Sequence, residues 1–333
     1  MTRITVLDGM PPATALYARA LSPRQRPPVS AGLPDRLVNL VHHRCEVAEV
    51  AAYDRVCGFT LTDRLPVTWL HVLTFPLQLT LMTASDFPLA PLGMVHVSNT
   101  MTQHRPVSIT EPLELTVRAA DLRPHRRGVL VDLVGEALVA GEPVWSGRST
   151  YLNRSAKLSE TPSDADPDGA SADAADPSST PPRRSSLSRP SEDGPDRPAE
   201  DGDETGFRQA QPSETQPSGL PTAGLWRLPS DLGRRYAAVS GDVNPIHLNP
   251  LAAKAFGLPR TIAHGMWMHA RALAALQPRL PDSFEVSVQF TKPVLLPSTV
   301  RFAAAADADG FVAQLTNRTG EKTYLDLRTT TLH

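Results

Sequence analysis

The densest group of titratable and turn-forming residues in this chain lies in its last third. It reads YAAVSGDVNPIHLNPLAAKAFG over residues 236–257 and RTIAHGMWMHA over residues 260–270. Because Pro245 disfavours helical geometry at the residue before it, we expect Asp242 and His247 on an irregular, exposed loop. Two titratable groups five positions apart can then face one point.

A carboxylate next to an imidazole suits the addition of water to an activated double bond. One group must hold and deprotonate the water while the other handles the proton at the alpha carbon, and imidazole titrates near working pH. Asn244 lies between Asp242 and His247 and can orient either group, or the water, through its amide. The pair therefore predicts both a proton acceptor and a proton donor in one site.

A backbone amide at the start of a helix is expected beside this pair. The apolar spacing after His264 predicts a helix from Gly265 to Gln277. The free N–H of Gly265 and the positive end of the helix dipole would stabilise negative charge on a thioester oxygen, and the missing Cβ lets a substrate approach. Gly265 is thus the candidate oxyanion donor.

The string Y-x-x-x-S-G-D-x-N-P-I-H, followed by I-A-H-G-M, resembles the hydratase 2 signature of MaoC-like enzymes. The matching residues are Tyr236, Ser240, Gly241, Asp242, Asn244, Pro245, Ile246 and His247. The resemblance implies a hotdog fold, catalytic Asp242 and His247, substrate-orienting Tyr236, Ser240 and Asn244, and an oxyanion hole at Gly265. The implied reaction is the reversible hydration of trans-2-enoyl thioesters of coenzyme A or acyl carrier protein to (R)-3-hydroxyacyl thioesters in fatty-acyl metabolism, without a cofactor.

Other interpretations of the same residues remain open. Asp242 alone reads as a turn or cap residue, and His247 alone as an ordinary loop histidine. His264 and His269 add two possible metal ligands, but they are five positions apart and no Cys or Glu joins them, so we predict no metal. A hotdog thioesterase and a non-catalytic acyl-binding subunit are the alternative functions.

The chain divides into two similar halves around a segment poor in large apolar residues. Residues 156–218 carry many Ser, Pro, Asp and Gly residues, which predicts a disordered linker. The flanking parts repeat one order of a helix and several strands, with RPV at residues 105–107 echoed by KPV at residues 292–294. We predict an α+β double hotdog, two antiparallel sheets each wrapped around a long helix: a degenerate N-terminal hotdog over residues 1–155 and a catalytic one over residues 219–333.

Composition excludes several classes of function. The formal net charge is -2 and basic residues form no run, so neither a nucleic acid nor a membrane surface is an expected partner. The apolar stretch from Val67 to Ala84 contains His71, Pro76 and Gln78, which favours a buried helix over a membrane span. The chain has two cysteines and its opening lacks a secretory pattern, so we predict a cytoplasmic protein. The sequence leaves open whether the chain forms a homodimer.

Overall fold

The computed structural model describes residues 2–22, 24–158 and 219–333. The predicted linker lies outside the described residues, except for residues 156–158. The described parts on the two sides of this gap belong to one compact unit.

The N-terminal half contains one long central helix with six strands around it. The apolar run from Val67 folds as a helix buried on nearly all sides, as expected for a segment without charged residues. Among the described residues, no helix has the length and apolar character needed to span a bilayer. The elements are β1 (Arg3–Leu7), α1 (Ala13–Leu21), β2 (Arg36–His43), α2 (Val47–Cys57), α3 (Val67–Met82), β3 (Met94–Gln103), β4 (Leu113–His125), β5 (Gly128–Val139) and β6 (Glu142–Asn153).

The C-terminal half repeats this plan around a second central helix. That helix begins at Gly265, as predicted, and ends at Leu276, where Gln277 and Pro278 begin a 3₁₀ turn. Strand β8 alternates buried and less buried residues, so one face of the sheet packs on the helix. The elements are β7 (Thr222–Leu228), α4 (Leu232–Ser240), α5 (Pro245–Leu248), α6 (Pro250–Ala255), α7 (Gly265–Leu276), β8 (Phe284–Phe290), β9 (Ser298–Asp307), β10 (Gly310–Asn317) and β11 (Thr323–Thr331).

The two halves join edge to edge into one sheet of eleven strands. The strand order is β1-β2-β4-β5-β6-β3-β8-β11-β10-β9-β7. Each half thus has the same internal order, read outward from the antiparallel β3–β8 pair at the centre. All pairs are antiparallel except β1 with β2, which are parallel. The predicted double hotdog is confirmed, and the central pairing makes its two sheets continuous.

The equivalence of the halves extends to single residues near the central helices. Helices α2 and α4 both end at a glycine in the left-handed region, Gly58 with φ 83° and Gly241 with φ 71°. The residue that follows is Phe59 in the first half and Asp242 in the second. The N-terminal half therefore keeps the turn but has no carboxylate there. The other equivalent pairs are Tyr53 and Tyr236, Trp69 and Trp267, and His71 and His269.

Candidate active site

The end of helix α4 positions Asp242. Gly241 adopts the left-handed conformation that glycine tolerates without a steric penalty, and this turn ends the helix. The backbone N–H of Asp242 then donates to Ser240 Oγ at 3.2 Å, and the N–H of Asn244 donates to Asp242 Oδ1 at 3.2 Å. The S-G-D-x-N string thus fixes the carboxylate through local hydrogen bonds.

His247 lies in the short helix α5, not on the exposed loop that we expected, and it is buried. Asn244 caps this helix by accepting from the N–H of Ile246 at 3.4 Å, so the turn chemistry of N-P starts a helix here. His247 Nδ1 is 2.8 Å from the carbonyl oxygen of Ile262. Because a carbonyl only accepts, Nδ1 carries the proton and Nε2 keeps a free lone pair.

His264 is the residue immediately before helix α7, and it links the other two groups. Its Nε2 donates to the backbone carbonyl of Asp242 at 3.0 Å. Its ring stacks on the ring of His247 with 3.6 Å between centroids, and the ring of Tyr236 packs against it at 4.9 Å. The side-chain ligand atoms of Asp242, His247 and His264 all lie within 4.8 Å of one another.

Tyr17 of helix α1 completes the group from the N-terminal half. Its hydroxyl donates to Asp242 Oδ1 at 2.5 Å, across 225 positions of sequence. A short hydrogen bond to a charged oxygen is among the stronger kinds in proteins. The carboxylate of Asp242 in one half is therefore held by the other half.

The electrostatics of the site favour an ionised carboxylate beside neutral imidazoles. Burial would raise the pKa of Asp242, but the attraction of His264 and His247 in their charged forms and the hydrogen bonds from the Tyr17 hydroxyl and the Asn244 N–H outweigh it, and the pKa is lowered. Burial lowers the pKa of His247, and it lowers that of His264 to about 3. At neutral pH the site thus contains a carboxylate and an imidazole whose Nε2 can accept a proton.

Gly265 directly follows His264 and begins helix α7. An N–H in the first turn of a helix has no intrahelical acceptor, so this amide is free to face a substrate oxygen. A Cβ at Gly265 would lie 3.1–3.3 Å from the ring of Phe290, which is tight packing. The location agrees with the expected oxyanion donor, whose role stays a prediction.

The three ligand atoms also raise the question of a metal. His247 uses Nδ1 and His264 uses Nε2 for backbone carbonyls, so each ring has one nitrogen left for a metal. His269, the fourth ligand weighed from the sequence, is not part of this group. The two rings stack with 24° between their planes. Metal-free chemistry stays our prediction.

Comparison with known proteins places this site in a family. A model of the MaoC like domain matches residues 208–325. The 3-hydroxyacyl-thioester dehydratase X of Mycobacterium tuberculosis is 37% identical over 285 residues, which cover 86% of this chain and 85% of that protein. The chain belongs to the MaoC-like family of hydratases and dehydratases.

Solved structures of MaoC-like proteins share the fold. The crystal structure of HtdX of Mycobacterium tuberculosis superposes with a TM-score of 0.68 at 33% identity, covering 89% of this chain and 100% of that one. A MaoC-like dehydratase from Phytophthora capsici has a TM-score of 0.56 at 15% identity, covering 89% and 94%. The second likeness supports the fold alone.

Most of the predicted site residues come together in the MaoC-like half. Tyr236 and Ser240 are both buried in α4, where they support His264 and Asp242 instead of pointing to open space. The side-chain oxygen of Asn244 is used as a helix cap. Their predicted role in orienting substrate is therefore indirect in this geometry, and it stays a prediction.

Sequence reasoning missed Tyr17 and underrated His264. His264 was visible in the I-A-H-G-M string but was considered only as a metal ligand. Tyr17 lies in a stretch without any motif, and only the packing of helix α1 brings it to the site.

Proposed function

We propose that this chain is an (R)-specific enoyl-thioester hydratase and 3-hydroxyacyl-thioester dehydratase acting on acyl-CoA or acyl carrier protein thioesters. The proposal depends on one observation, the convergence of Asp242 and His247 beside the first amide of helix α7. A carboxylate oxygen of Asp242 and a ring nitrogen of His247 lie within 4.8 Å of each other. Both proton-transfer groups and the amide that binds an oxyanion are then on one side of the substrate.

The geometry supports distinct roles for the two catalytic groups. In hydration, His247 Nε2 takes a proton from the water whose oxygen adds to the beta carbon. The proton passes between this imidazolium and the carboxylate of Asp242, which Tyr17 holds, and the pair then delivers it to the alpha carbon of the enolate, so both groups return to their starting states. Dehydration runs the same steps in reverse. The N–H of Gly265 stabilises the enolate oxygen, an interaction whose loss typically costs about 3–4 kcal/mol of barrier.

The test is the hydration of crotonyl-CoA, followed as loss of the enoyl absorbance. We expect the purified chain to hydrate this substrate and Asp242→Asn to lower kcat by at least about a hundredfold, since proton transfer typically contributes ~10²–10⁴-fold. The matched control is Asp54→Asn, because Asp54 is also a buried carboxyl but lies in helix α2. A full rate in Asp242→Asn would remove the proposed mechanism.

The same assay separates the alternatives. Free thiol release without hydration would indicate a thioesterase, and acyl-CoA binding without either reaction would indicate a non-catalytic subunit. Measuring the stereochemistry of the 3-hydroxyacyl product tests the R specificity.

Location and assembly complete the proposal. Cys45 and Cys57 are both free thiols, which supports a reducing cytoplasm.

Edge strand β1 exposes Ile4 and Val6 by 59% and 60%, a surface suited to a second copy of the chain. Sedimentation analysis of the purified protein tests the homodimer.

A further inference from the structure

A second group of buried polar side chains lies on the central helix of the N-terminal half. His71, Thr74 and Gln78 fall at positions i, i+3 and i+7 of α3 and therefore share one face. All three are at most 4% exposed. The equivalent positions of α7 are occupied by His269, Ala272 and Leu276. Only the half without the catalytic motif thus carries the complete polar stripe.

Neighbouring strands add two more polar rings to this stripe. The hydroxyl of Tyr151 donates to Gln78 Oε1 at 3.2 Å, and Gln78 Nε2 donates to Thr74 Oγ1 at 3.4 Å. The ring of His96 stacks on Tyr151 with 4.6 Å between centroids, and it lies 6.1 Å from the ring of His71. We call His71, Gln78, His96, Tyr151 and His269 the polar cluster.

Several polar atoms of this cluster have no partner. Within the described residues, His96 Nε2 and both ring nitrogens of His269 are shielded from solvent and make no hydrogen bond. His269 is fully buried, with a relative exposure of 0%. Burial lowers the pKa of His96 and of His269 to about 3, so each ring is neutral and offers one donor and one acceptor. Leaving such groups unpaired in a protein interior is unfavourable, which indicates that they face a polar ligand or water.

The polar cluster continues directly from the proposed active site. His96 lies 5.1 Å from the ring of Phe290, and that ring packs where a Cβ of Gly265 would be. The side chain of Asp242 remains 27% exposed, and His96 and Gly265 are also partly accessible. Gly265 and His96 of the polar cluster thus both lie against the ring of Phe290.

We propose that the polar cluster is an acyl subsite for a chain with an oxygen function, a hydroxyl or carbonyl group, beyond the reacting carbons. Neutral imidazoles, an amide and a phenol pair with such a group, whereas a plain alkyl chain would leave their nitrogens unpaired. The inference rests on the proposed function, since it assumes that a thioester binds at Gly265.

The depth of the cluster assigns it to the acyl end of the substrate. A coenzyme A or carrier protein is too large to enter the fold, so the pantetheine arm must lead outward to the surface. His71 and His269 lie on the two central helices, 4% and 0% exposed, where only the far end of an acyl chain can reach.

The experiment compares kcat/KM for crotonyl-CoA, for a medium-length alkyl enoyl-CoA and for a series of the same length with a hydroxyl group at successive carbons. We expect one hydroxylated member to exceed the alkyl substrate by about fivefold to tenfold, the contribution of one hydrogen bond. Gln78→Leu, which introduces the residue type found at the equivalent position of α7, should lower kcat/KM for the hydroxylated chain to the value for the alkyl chain of the same length. Tyr151→Phe is the second variant in case Gln78→Leu does not fold.

Thr80→Val is the matched control, because Thr80 lies on α3 and its hydroxyl donates to the carbonyl of Pro76. It should keep the preference for the hydroxylated chain. Equal kcat/KM for alkyl and hydroxylated chains in the wild-type protein would overturn the subsite, as would an equal loss on crotonyl-CoA in Gln78→Leu. Calorimetric binding of saturated acyl-CoA with and without the hydroxyl group gives the same comparison without turnover. If only the subsite is wrong, the wild-type protein still hydrates crotonyl-CoA. If the proposed function is wrong, it does not hydrate crotonyl-CoA at all.

Discussion

At the scale of residues, the site depends on hydrogen bonds that fix protonation states. The carbonyl of Ile262 holds the proton of His247 on Nδ1, and the carbonyl of Asp242 holds the proton of His264 on Nε2. Tyr17 and Asn244 both donate to Oδ1 of Asp242, which leaves Oδ2 for substrate or water. These hydrogen bonds leave Nε2 of His247 and Oδ2 of Asp242 in the states that the proposed acid–base chemistry requires.

Tyr17→Phe tests the hydroxyl that holds the carboxylate. Hydrogen bonds to charged groups contribute about 1.5–3 kcal/mol, so we expect kcat/KM to fall by roughly tenfold to a hundredfold. Because the hydroxyl lowers the pKa of Asp242, its removal should raise that pKa and move the acid limb of the pH–rate profile to higher pH. The measurement is kcat/KM against pH.

Tyr53→Phe is the control for Tyr17→Phe. Its hydroxyl donates to Thr68 Oγ1 at 2.9 Å, so the variant also loses a buried hydrogen bond, but not one to Asp242. We expect Tyr53→Phe to lower the stability of the protein and to leave the acid limb of the pH–rate profile unchanged. If both variants showed the same profile, Tyr17 would have only a structural role.

At the scale of elements, the close packing of helix α5 on helix α4 sets the position of His247. A Cβ on Gly233 of helix α4 would lie 2.1 Å from the carbonyl oxygen of His247. The backbone of α5 can therefore pack on α4 only because this position lacks a side chain. Trp267 of helix α7 also donates to the carbonyl of Val56 at 3.0 Å and ties the second half to helix α2.

Gly233→Ala should displace helix α5 and with it His247. In an exposed helix this change would stabilise by about 1 kcal/mol, because alanine has the higher helix propensity. Here we expect destabilisation by about 1–3 kcal/mol and a loss of activity, since overpacking shifts backbone. Thermal melts and crotonyl-CoA hydration measure the two effects.

The control for Gly233→Ala is Gly9→Ala, where an added Cβ meets nothing within 4 Å. That variant should keep both the melting temperature and the rate. Higher stability and full activity in Gly233→Ala would show that α5 does not need this close approach.

At the scale of the whole molecule, both halves contribute side chains to the candidate active site. The half with the motif supplies Asp242 and His247, and the other half supplies Tyr17 and most of the polar cluster. Several imidazoles are buried in their neutral form, so the stability of the folded state depends on pH. Burial lowers the pKa of His71 to about 4 and that of His264 and His269 to about 3.

The melting temperature should fall as pH is lowered from about 6.5 to about 4.5. Unfolded imidazoles protonate near their ordinary pKa of 6.5 while the buried ones stay neutral, so the unfolded state binds more protons in this window. Each histidine then contributes up to about 1.4 kcal/mol of lost stability per pH unit. Thermal melts across this range measure the slope.

His269→Gln should make this slope shallower by about one proton. A melting temperature that stays constant over the window would contradict the buried neutral state of these rings.

The sequence by itself determined the family, the double hotdog and the residues of the local motif. Asp242, Asn244 and His247 are close in sequence, and the turns and caps between them act over one to three residues, so their spacing carries the information. The helix after His264 was equally visible as an apolar stripe with a proline stop. The local pattern at Pro245 nevertheless predicts a loop, whereas the structure begins helix α5 there with Asn244 as its cap.

Only the tertiary structure decided which distant side chains complete the site. Tyr17 reaches Asp242, and Phe290 lies between Gly265 and His96, through packing of elements that no local pattern connects. The central β3–β8 pairing places the polar stripe of α3 beside the second half. Such contacts depend on how the faces of the sheet and helices fit together, and that information is spread over the whole core instead of any one stretch of residues.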